Sequence, residues 1–423
     1  MYGLIIGIFV VGYLAIAFEH PIKINKTASA LITGVLCWTV YVLFTHENPE
    51  LVVEELSHHL GSVSEILFFL LGAMTIVELV DAHHGFRVIT DRITTRNSRT
   101  LLWVLSFITF FLSAVLDNLT TAIVMVSLLR KLINDKEQRK FYAGMVIIAA
   151  NAGGAWSPIG DVTTTMLWIG GQISALTIMK ELIIPSLICI LVPLIVLSFR
   201  MKGDLKGEAM EVESDVHQKS RLMFFVGVGG LIFVPIFKTV THLPPYMGML
   251  LSLGIVWITS ELINSDKDEE ERHPYTPAHA LSRIDTSSVL FFLGILIAIG
   301  SLEATHLLSD LAGWMSETIG NLDIIVIAIG LASAVIDNVP LVAATMGMYD
   351  LNTFPTDSKL WEFLAYCAGT GGSILIIGSA AGVAVMGMEK IDFVWYIKRI
   401  SLLALIGYVA GAVAYLGIYS ITH

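Results

Sequence analysis

Three aspartates lie inside apolar stretches of the sequence, where an uncompensated charge is expensive. Asp117 and Asp337 are each followed by an asparagine, Asn118 and Asn338, and Asp161 ends a glycine-rich segment. A carboxylate at membrane depth costs at least about 2.5–3.5 kcal/mol, so these acids are functional candidates by default. Small hard cations take oxygen ligands such as carboxylates and amides, and carboxylates also carry protons. The pattern predicts a buried site for a cation or a proton.

Other oxygen-bearing side chains stand close to these acids or at the matching place in the second half of the chain. They are Asn151, Thr163, Thr370 and Ser373. Asn, Thr and Ser also cap helix ends, so each of these residues has a second explanation as a cap for a broken helix. Both explanations are compatible with the sequence.

Two glycine-rich segments are expected to interrupt the helices that contain these polar residues. Asn-Ala-Gly-Gly-Ala-Trp-Ser-Pro-Ile-Gly-Asp runs over 151–161, and Gly-Thr-Gly-Gly-Ser runs over 369–373 and continues to Gly378 and Ser379. Glycine weakens a helix, and Pro158 removes one backbone hydrogen bond. Exposed carbonyls at membrane depth are tolerated where they line a cavity. We therefore expect two discontinuous helices, 141–171 and 362–388.

The composition identifies the environment of these helices. The chain has 423 residues, of which 55% are hydrophobic and 14% charged, with a mean hydropathy of +0.76. Ordinary globular chains carry about 25% charge. These values exclude a soluble multidomain enzyme, a disordered protein and a nucleic-acid binder, and they indicate a polytopic membrane protein whose main partner is the lipid bilayer. The three cysteines all lie in apolar runs and are expected to be packed thiols.

Ten stretches are apolar and long enough to cross a bilayer, which takes about 20 residues. They lie near 1–17, 27–45, 63–81, 141–171, 178–199, 221–238, 246–263, 286–302, 362–388 and 399–420. Two further stretches, 99–131 and 322–349, have polar residues in their middle and are interpreted as re-entrant hairpins. The first stretch resembles a signal peptide, but its amino end has no Lys or Arg, so a retained span is favoured.

The basic residues predict the orientation, because they concentrate on the cytoplasmic side. With both hairpins re-entrant, 22 of the 25 Lys and Arg residues fall in inner loops, and only Lys180, Lys238 and Lys359 fall outside. If either hairpin were a full crossing, every later loop would change sides and this bias would disappear. Both termini are therefore predicted to lie outside.

The two halves of the chain repeat each other at their polar motifs. Ser-Ala-Val-Leu-Asp-Asn over 113–118 matches Ser-Ala-Val-Ile-Asp-Asn over 333–338, and Gly153-Gly154 matches Gly371-Gly372. Each half has five spans, and an odd number inverts the second half relative to the first. Inverted repeats with broken helices are typical of secondary transporters with a site at the midplane. A duplication kept only for packing would not explain why the polar residues are the best preserved.

These motifs, together with Asn-Leu-Thr-Thr over 118–121 and the segment 151–161, closely resemble those of NhaD-type sodium/proton antiporters. That family belongs to the ion transporter superfamily, and the resemblance covers nearly the whole chain. It implies a homodimeric, elevator-type transporter with scaffold parts at 1–95 and 201–318, transport-domain parts at 96–200 and 319–423, and arm helices at 82–98 and 303–321. It also adds Thr120 and Thr164 to the ion-site candidates, and implies sodium at Asp117, Asp161 and Asp337.

The predicted function is the extrusion of cytoplasmic Na⁺ or Li⁺ in exchange for external H⁺, by alternating access across the cell inner or plasma membrane. Protons and Na⁺ would compete for the same carboxylates, and no cofactor is expected. Export of arsenite, another metalloid or an oxyanion on the same scaffold is the nearest alternative. Paired membrane aspartates also occur in intramembrane proteases, but no Gly-x-Gly-Asp motif is present, so we predict that the protein is not an enzyme.

Overall fold

The computed structural model describes residues 1–45, 48–93, 95, 97–201, 203 and 218–422, and helices dominate this part of the chain. The helices of at least eight residues are numbered here in chain order. They are α1 Tyr2–Ala17, α2 Lys26–Phe44, α3 Pro49–Ala82, α4 Ser98–Leu116, α5 Asn118–Leu132, α6 Lys136–Ala155, α7 Val162–Ile169, α8 Ala175–Arg200, α9 Gln218–Thr241, α10 Pro245–Ile263, α11 Thr286–Ala304, α12 Leu307–Ile319, α13 Leu322–Ala332, α14 Asn338–Met348, α15 Lys359–Gly371, α16 Ala380–Glu389 and α17 Leu402–Thr422. Shorter helices lie at Glu19–Ile22, Arg87–Thr90, Glu269–Arg272, Pro277–Arg283 and Phe393–Tyr396.

Eight of the described helical segments are long and apolar enough to cross a membrane, or nine if the bent pair α12–α13 counts as one span. The chain is thus a multi-pass membrane protein, as its composition predicts. The difference from ten predicted spans has local causes. The segments 141–171 and 362–388 are broken into shorter helices, and α1 has 16 residues. Conversely α4, which the prediction treats as half of a hairpin, has 19 residues and passes the length test by itself.

Helix α3 is much longer than the span predicted over 63–81. It has 34 residues and begins at Pro49, where the side chain of Asn48 accepts a hydrogen bond from the Glu50 backbone N–H at 3.1 Å. An asparagine cap followed by proline is a strong helix start. Because polar residues follow Pro49, the first part of this helix does not stand out as an apolar run. The segment between the predicted spans 27–45 and 63–81, expected to be an outer loop, is mostly helical in its described part.

The polar motifs coincide with helix ends, as the sequence predicts. Helices α4 and α5 meet at Asp117, and α13 and α14 are separated by 333–337. The first break lies at 156–161, between α6 and α7, and the second at 372–379, between α15 and α16. With 11 residues, α13 spans about 16 Å, roughly half of a hydrocarbon core.

The same contact joins hairpin to broken helix in both halves of the chain. Ser113 Oγ donates to the Ala150 carbonyl at 2.6 Å, and Ser333 Oγ donates to the Ala368 carbonyl at 3.2 Å. Gly378 allows a close approach at this junction, because an added Cβ would lie 2.6 Å from the Ala334 carbonyl oxygen. The repeated sequence motifs therefore correspond to repeated packing.

The remaining helices surround these junctions. Helix α2 packs against α1 and α11, α10 packs against α3 and α9, and α8 packs against α17. The stretch 303–321 contains α12, but the described part of 82–98 contains only the short helix Arg87–Thr90 before α4 begins, so no long arm helix is present there. Three of the basic residues assigned to inner loops lie outside the described residues: Arg96, Lys202 and Lys206.

Candidate functional site

The two Asp-Asn motifs, called here the first tip (Asp117-Asn118) and the second tip (Asp337-Asn338) after the predicted hairpins, meet the first broken helix at the carboxylate of Asp161. Asn118 Nδ2 donates to Asp161 Oδ2 at 2.7 Å, and Asn338 Nδ2 donates to the same oxygen at 3.4 Å. The three side chains are buried, with Asp161 only 2% exposed. Two amides that lie 220 positions apart in the sequence, Asn118 and Asn338, therefore converge on one oxygen atom.

The other oxygen of Asp161 caps helix α7. Its Oδ1 accepts hydrogen bonds from the backbone N–H of Thr163 at 2.9 Å and from the Thr163 hydroxyl at 3.0 Å, while Thr164 Oγ1 donates to the Asp161 carbonyl at 2.9 Å. The positive end of a helix favours an anion at this position. Among the described residues, all the donors that contact this carboxylate are uncharged.

Asn151, in α6, connects the first Asp-Asn motif with the second break. Its Oδ1 accepts from Asn118 Nδ2 at 3.1 Å, and its Nδ2 donates to Ser379 Oγ at 2.9 Å. Ser379 caps α16 by accepting from the Gly382 backbone N–H. Ser379 is not among the predicted ligands, although it occupies the place of Asp161 in the second repeat. The match between Ser379 and Asp161 in the two repeats is the sequence signal that identifies Ser379 as a site residue.

Asp117 has an unusual backbone conformation at the tip of the first hairpin. Its φ is +100°, in a region that L-residues rarely adopt and that costs of order 1–3 kcal/mol. Two hydrogen bonds offset this cost: Oδ1 accepts from the Thr120 backbone N–H at 2.8 Å, and Oδ2 accepts from the Thr120 hydroxyl at 2.7 Å. Thr120 therefore occupies both carboxylate oxygens of this acid.

Asp337 has a different set of partners at the second tip. Its Oδ1 accepts from the Val339 backbone N–H at 3.2 Å, and its Oδ2 contacts Lys26 Nζ at 3.1 Å. Lys26 is the first residue of α2, and its ammonium also lies 4.3 Å from the centre of the Phe291 ring. Lys26 is not among the predicted site residues, because nothing in its local pattern distinguishes it from other lysines at span ends.

Thr370 and Ser373 use their hydroxyls locally. Thr370 Oγ1 donates to the Tyr366 carbonyl at 2.6 Å, and Ser373 Oγ donates to the Thr370 carbonyl at 2.7 Å. Both bonds stay within α15 and its C-terminal turn, which favours the alternative explanation that these residues satisfy helix carbonyls. In contrast, the Thr121 hydroxyl, one turn into α5, is buried without a hydrogen-bond partner in the described part of the chain.

In the described residues, no group of three or more His, Cys, Asp and Glu side chains is arranged to hold a metal ion. The three site acids instead have separate partners: Thr120 for Asp117, amides and Thr163 for Asp161, and Lys26 for Asp337. The sodium site predicted at these three acids stays a prediction. Carboxylates of this kind can bind a small cation or a proton.

The fold and this site define a multi-pass helical membrane transporter. Residues 13–359 match the model of a family described as "Citrate transporter". The chain is 53% identical to "Sodium/proton antiporter 1" of Arabidopsis thaliana, over 98% of this chain and 72% of that protein. It is 30% identical to the "Na(+)/H(+) antiporter NhaD" of Alkalimonas amylolytica, over 97% and 89% of the two chains.

A solved structure shares the fold. The YdaH transporter of Alcanivorax borkumensis superposes with a TM-score of 0.58 at 12% identity, and the match covers 88% of this chain and 89% of that chain. At this identity the likeness shows the fold alone. The family match and the relatives described above show that the chain belongs to the NhaD-type sodium/proton antiporters of the ion transporter superfamily. The resemblance inferred from the sequence motifs is confirmed.

Proposed function

We propose that this protein exports cytoplasmic Na⁺ or Li⁺ in exchange for external H⁺. The observation that carries the proposal is the Asp161 carboxylate, which is buried between two hairpin tips and held by uncharged donors. A buried carboxylate with no fixed counter-cation has most to gain from a mobile positive charge, since charge is expensive in a low-dielectric environment. Na⁺ and H⁺ are the two ions in the names of the relatives described above.

The two cations would compete for the same acids by alternating access. In the structure, the amides of Asn118 and Asn338 present N–H groups to Asp161. Rotation of either amide would replace a donor by an oxygen ligand for Na⁺, whereas a protonated Asp161 could itself donate to an amide oxygen. A carrier that moves only when its acids are neutralised couples the two fluxes, because an uncompensated charge opposes movement through the membrane.

The proposal extends to the architecture. Ten spans would form two inverted five-span repeats, with a scaffold at 1–95 and 201–318 and an elevator-type transport domain at 96–200 and 319–423. Both termini would lie outside the cell inner or plasma membrane, and two copies would form a homodimer. The recurrence of the Ser113 and Ser333 contacts supports the repeat, and the convergence of both tips on Asp161 supports a shared site.

Export of arsenite or another metalloid or oxyanion is the alternative function. Neutral arsenous acid could hydrogen-bond to the Asp-Asn tips, and the matched family model carries a citrate description. Within the part of the chain that the structure describes, the site contains the three acids Asp117, Asp161 and Asp337, and the one basic side chain paired with them is Lys26. An anion such as citrate would add negative charge to an already acidic site, so the balance of charge favours a cation.

The test is dissipation of ΔpH in everted membrane vesicles from cells that express the protein. NaCl, LiCl, KCl, arsenite and citrate are added separately. We expect a rapid response to NaCl or LiCl that is lost in Asp161→Asn and Asp117→Asn. Asp310→Asn is the matched control, because it removes an exposed carboxylate on α12 away from the site. Expression of every variant is compared by immunoblot and by elution from a gel-filtration column.

Two results would contradict the proposal. Normal exchange by a folded Asp161→Asn variant would exclude the carboxylate from the mechanism. Absence of any response to alkali cations in the wild type, together with vesicular uptake of arsenite or citrate, would leave the fold unaffected and assign a different substrate.

A further inference from the structure

A lysine from outside the hairpins reaches into the candidate site. The pair between Lys26 Nζ and Asp337 Oδ2 joins residues 311 positions apart, on α2 and on the second hairpin tip. Its side chains are 31% and 19% exposed, so both groups are partly shielded and still accessible to ions. In the proposed architecture, one partner belongs to the scaffold and the other to the transport domain.

The position of Lys26 is fixed by its own element. Asn25 caps α2 by accepting from the Thr27 backbone N–H at 2.8 Å, and Thr27 Oγ1 donates to the Ser287 carbonyl at 2.9 Å. These contacts tie the start of α2 to the start of α11. Because the lysine stands on a firmly attached helix end, a movement of the hairpin would separate the pair.

The sequence difference between the two tips explains why only one of them receives the lysine. Thr120 supplies two donors to Asp117. The corresponding residue in the second repeat is Pro340, which has neither a backbone N–H nor a hydroxyl. Asp337 therefore keeps one carboxylate oxygen available, and Lys26 uses it.

The pair lies in a cavity of about 440 Å³ that also contains Glu19, Asp285 and Ser379. Ser379 accepts a hydrogen bond from Asn151, which in turn contacts Asn118, so the wall of this cavity is hydrogen-bonded to the site around Asp161. The predicted orientation places Glu19 and Asp285 in inner loops, and the cavity would face the cytoplasm. An incoming Na⁺ would meet this acidic surface and the Lys26–Asp337 pair first.

We propose that Lys26 is an internal cation that occupies Asp337 until cytoplasmic Na⁺ displaces it. The ammonium neutralises the second tip and attaches it to α2 in the empty, inward-facing state. Na⁺ takes over the carboxylate and releases the hairpin from the scaffold. Lys26 is thus a positioning residue for the exchange, and this inference rests on the proposed antiport function.

The first experiment uses the wild-type protein, in detergent or in liposomes. An amine-acylating reagent is applied in saturating NaCl or in choline chloride of equal ionic strength, and acylation of each lysine is measured by mass spectrometry. Lys23, an exposed lysine just before α2, is the internal reference. We expect Na⁺ to raise the ratio of Lys26 to Lys23 acylation by about two- to fivefold, the population change expected for a partly exposed ion pair. In Asp337→Asn, acylation of Lys26 is expected to be high in both salts.

The second experiment measures exchange in proteoliposomes. Lys26→Met removes the competing charge, keeps the apolar stem, and should lower the apparent KM for Na⁺ by about two- to fivefold. Lys26→Arg keeps a cation and should retain a KM closer to that of the wild type, and Lys23→Met is the matched control.

The outcomes separate this inference from the function on which it rests. Exchange by the wild type with Na⁺-insensitive acylation of Lys26 overturns the inference and leaves the antiport intact. An unchanged KM in folded Lys26→Met does the same. Loss of Na⁺ exchange in the wild type instead overturns the proposed function. The acylation result stands even if Lys26→Met does not fold, because it needs no variant at that position.

Discussion

Glu389 provides the most direct test of how the two halves of the chain are joined. Its carboxylate accepts from Arg130 Nε at 2.7 Å and from Arg139 Nε at 2.6 Å, and its side chain is only 1% exposed. Arg130 lies in the last turn of α5, Arg139 lies in the first turn of α6, and Glu389 is the last residue of α16. One carboxylate therefore links three elements from the two repeats.

The cost of Glu389→Gln follows from the exposure of the two arginines. Arg139 is 11% exposed, and leaving one partner of a buried ion pair uncompensated costs about 3–5 kcal/mol. Arg130 is 45% exposed and can return to water, so its loss contributes at most about 1 kcal/mol. Glutamine keeps one acceptor oxygen and recovers part of the loss. The expected destabilisation is about 2–4 kcal/mol.

Thermal unfolding of the purified protein in detergent measures this effect. Unfolding of a large membrane protein is often irreversible, so the variants are compared at one scan rate by their apparent midpoints. We expect Glu389→Gln to lower the midpoint by roughly 2–5 °C, because the entropy of unfolding grows with chain length and 1 kcal/mol corresponds to about 1 °C for 423 residues. Glu137→Gln is the matched control: Glu137 is 68% exposed and pairs with Lys140, so its removal should shift the midpoint by about 1 °C or less. A Glu389→Gln midpoint equal to that of the control would refute the reasoning.

Three further substitutions test individual contacts. Gly372→Ala should destabilise the protein by about 1–3 kcal/mol, because the new Cβ would lie 2.7 Å from a backbone carbonyl oxygen. Gly387→Ala is the control in the same thermal assay: it has open space around it and should be neutral or slightly stabilising. Tyr415→Phe should cost about 1–3 kcal/mol, because the hydroxyl donates at 2.7 Å to the buried carboxylate of Glu362; an unchanged midpoint would contradict this account. Pro340→Thr should give Asp337 the donors that Thr120 gives Asp117, and should thereby raise the acylation of Lys26 in choline chloride. Acylation of Lys26 equal to that of the wild type would refute the comparison of the two tips.

Helix breaks and helix starts could be predicted from the sequence, because they are set by the residues at those positions. Glycine and proline act on the backbone at their own positions, so the breaks at 156–161 and 372–379 could be located without a structure. The Asp-Asn motifs likewise coincide with the helix starts at Asn118 and Asn338. Hydropathy was less reliable at span ends, because the polar first part of α3 is helical through its cap rather than through an apolar run.

Partners far apart in the chain could not be predicted. Nothing near Lys26 or Glu389 indicates which charge each will meet, since the answer depends on how helices from both halves pack. The assignment of Thr370 and Ser373 as ligands has a related weakness. A hydroxyl can bond to a carbonyl of its own helix or to an ion, and residue type alone does not distinguish the two.

The departures from symmetry in the site are chemically more informative than the symmetry itself. Asp161 has Ser379 as its counterpart, so the acid at the broken helices occurs once, between two tips that both contact it. Thr120 has Pro340 as its counterpart, so one tip is closed by its own helix and the other accepts an external lysine. A site with perfect twofold symmetry would bind at both tips alike. The observed differences place Lys26 at one acid and leave the shared acid with neutral donors, so a cation that exchanges at both acids would meet a competing ammonium at Asp337 and only uncharged groups at Asp161.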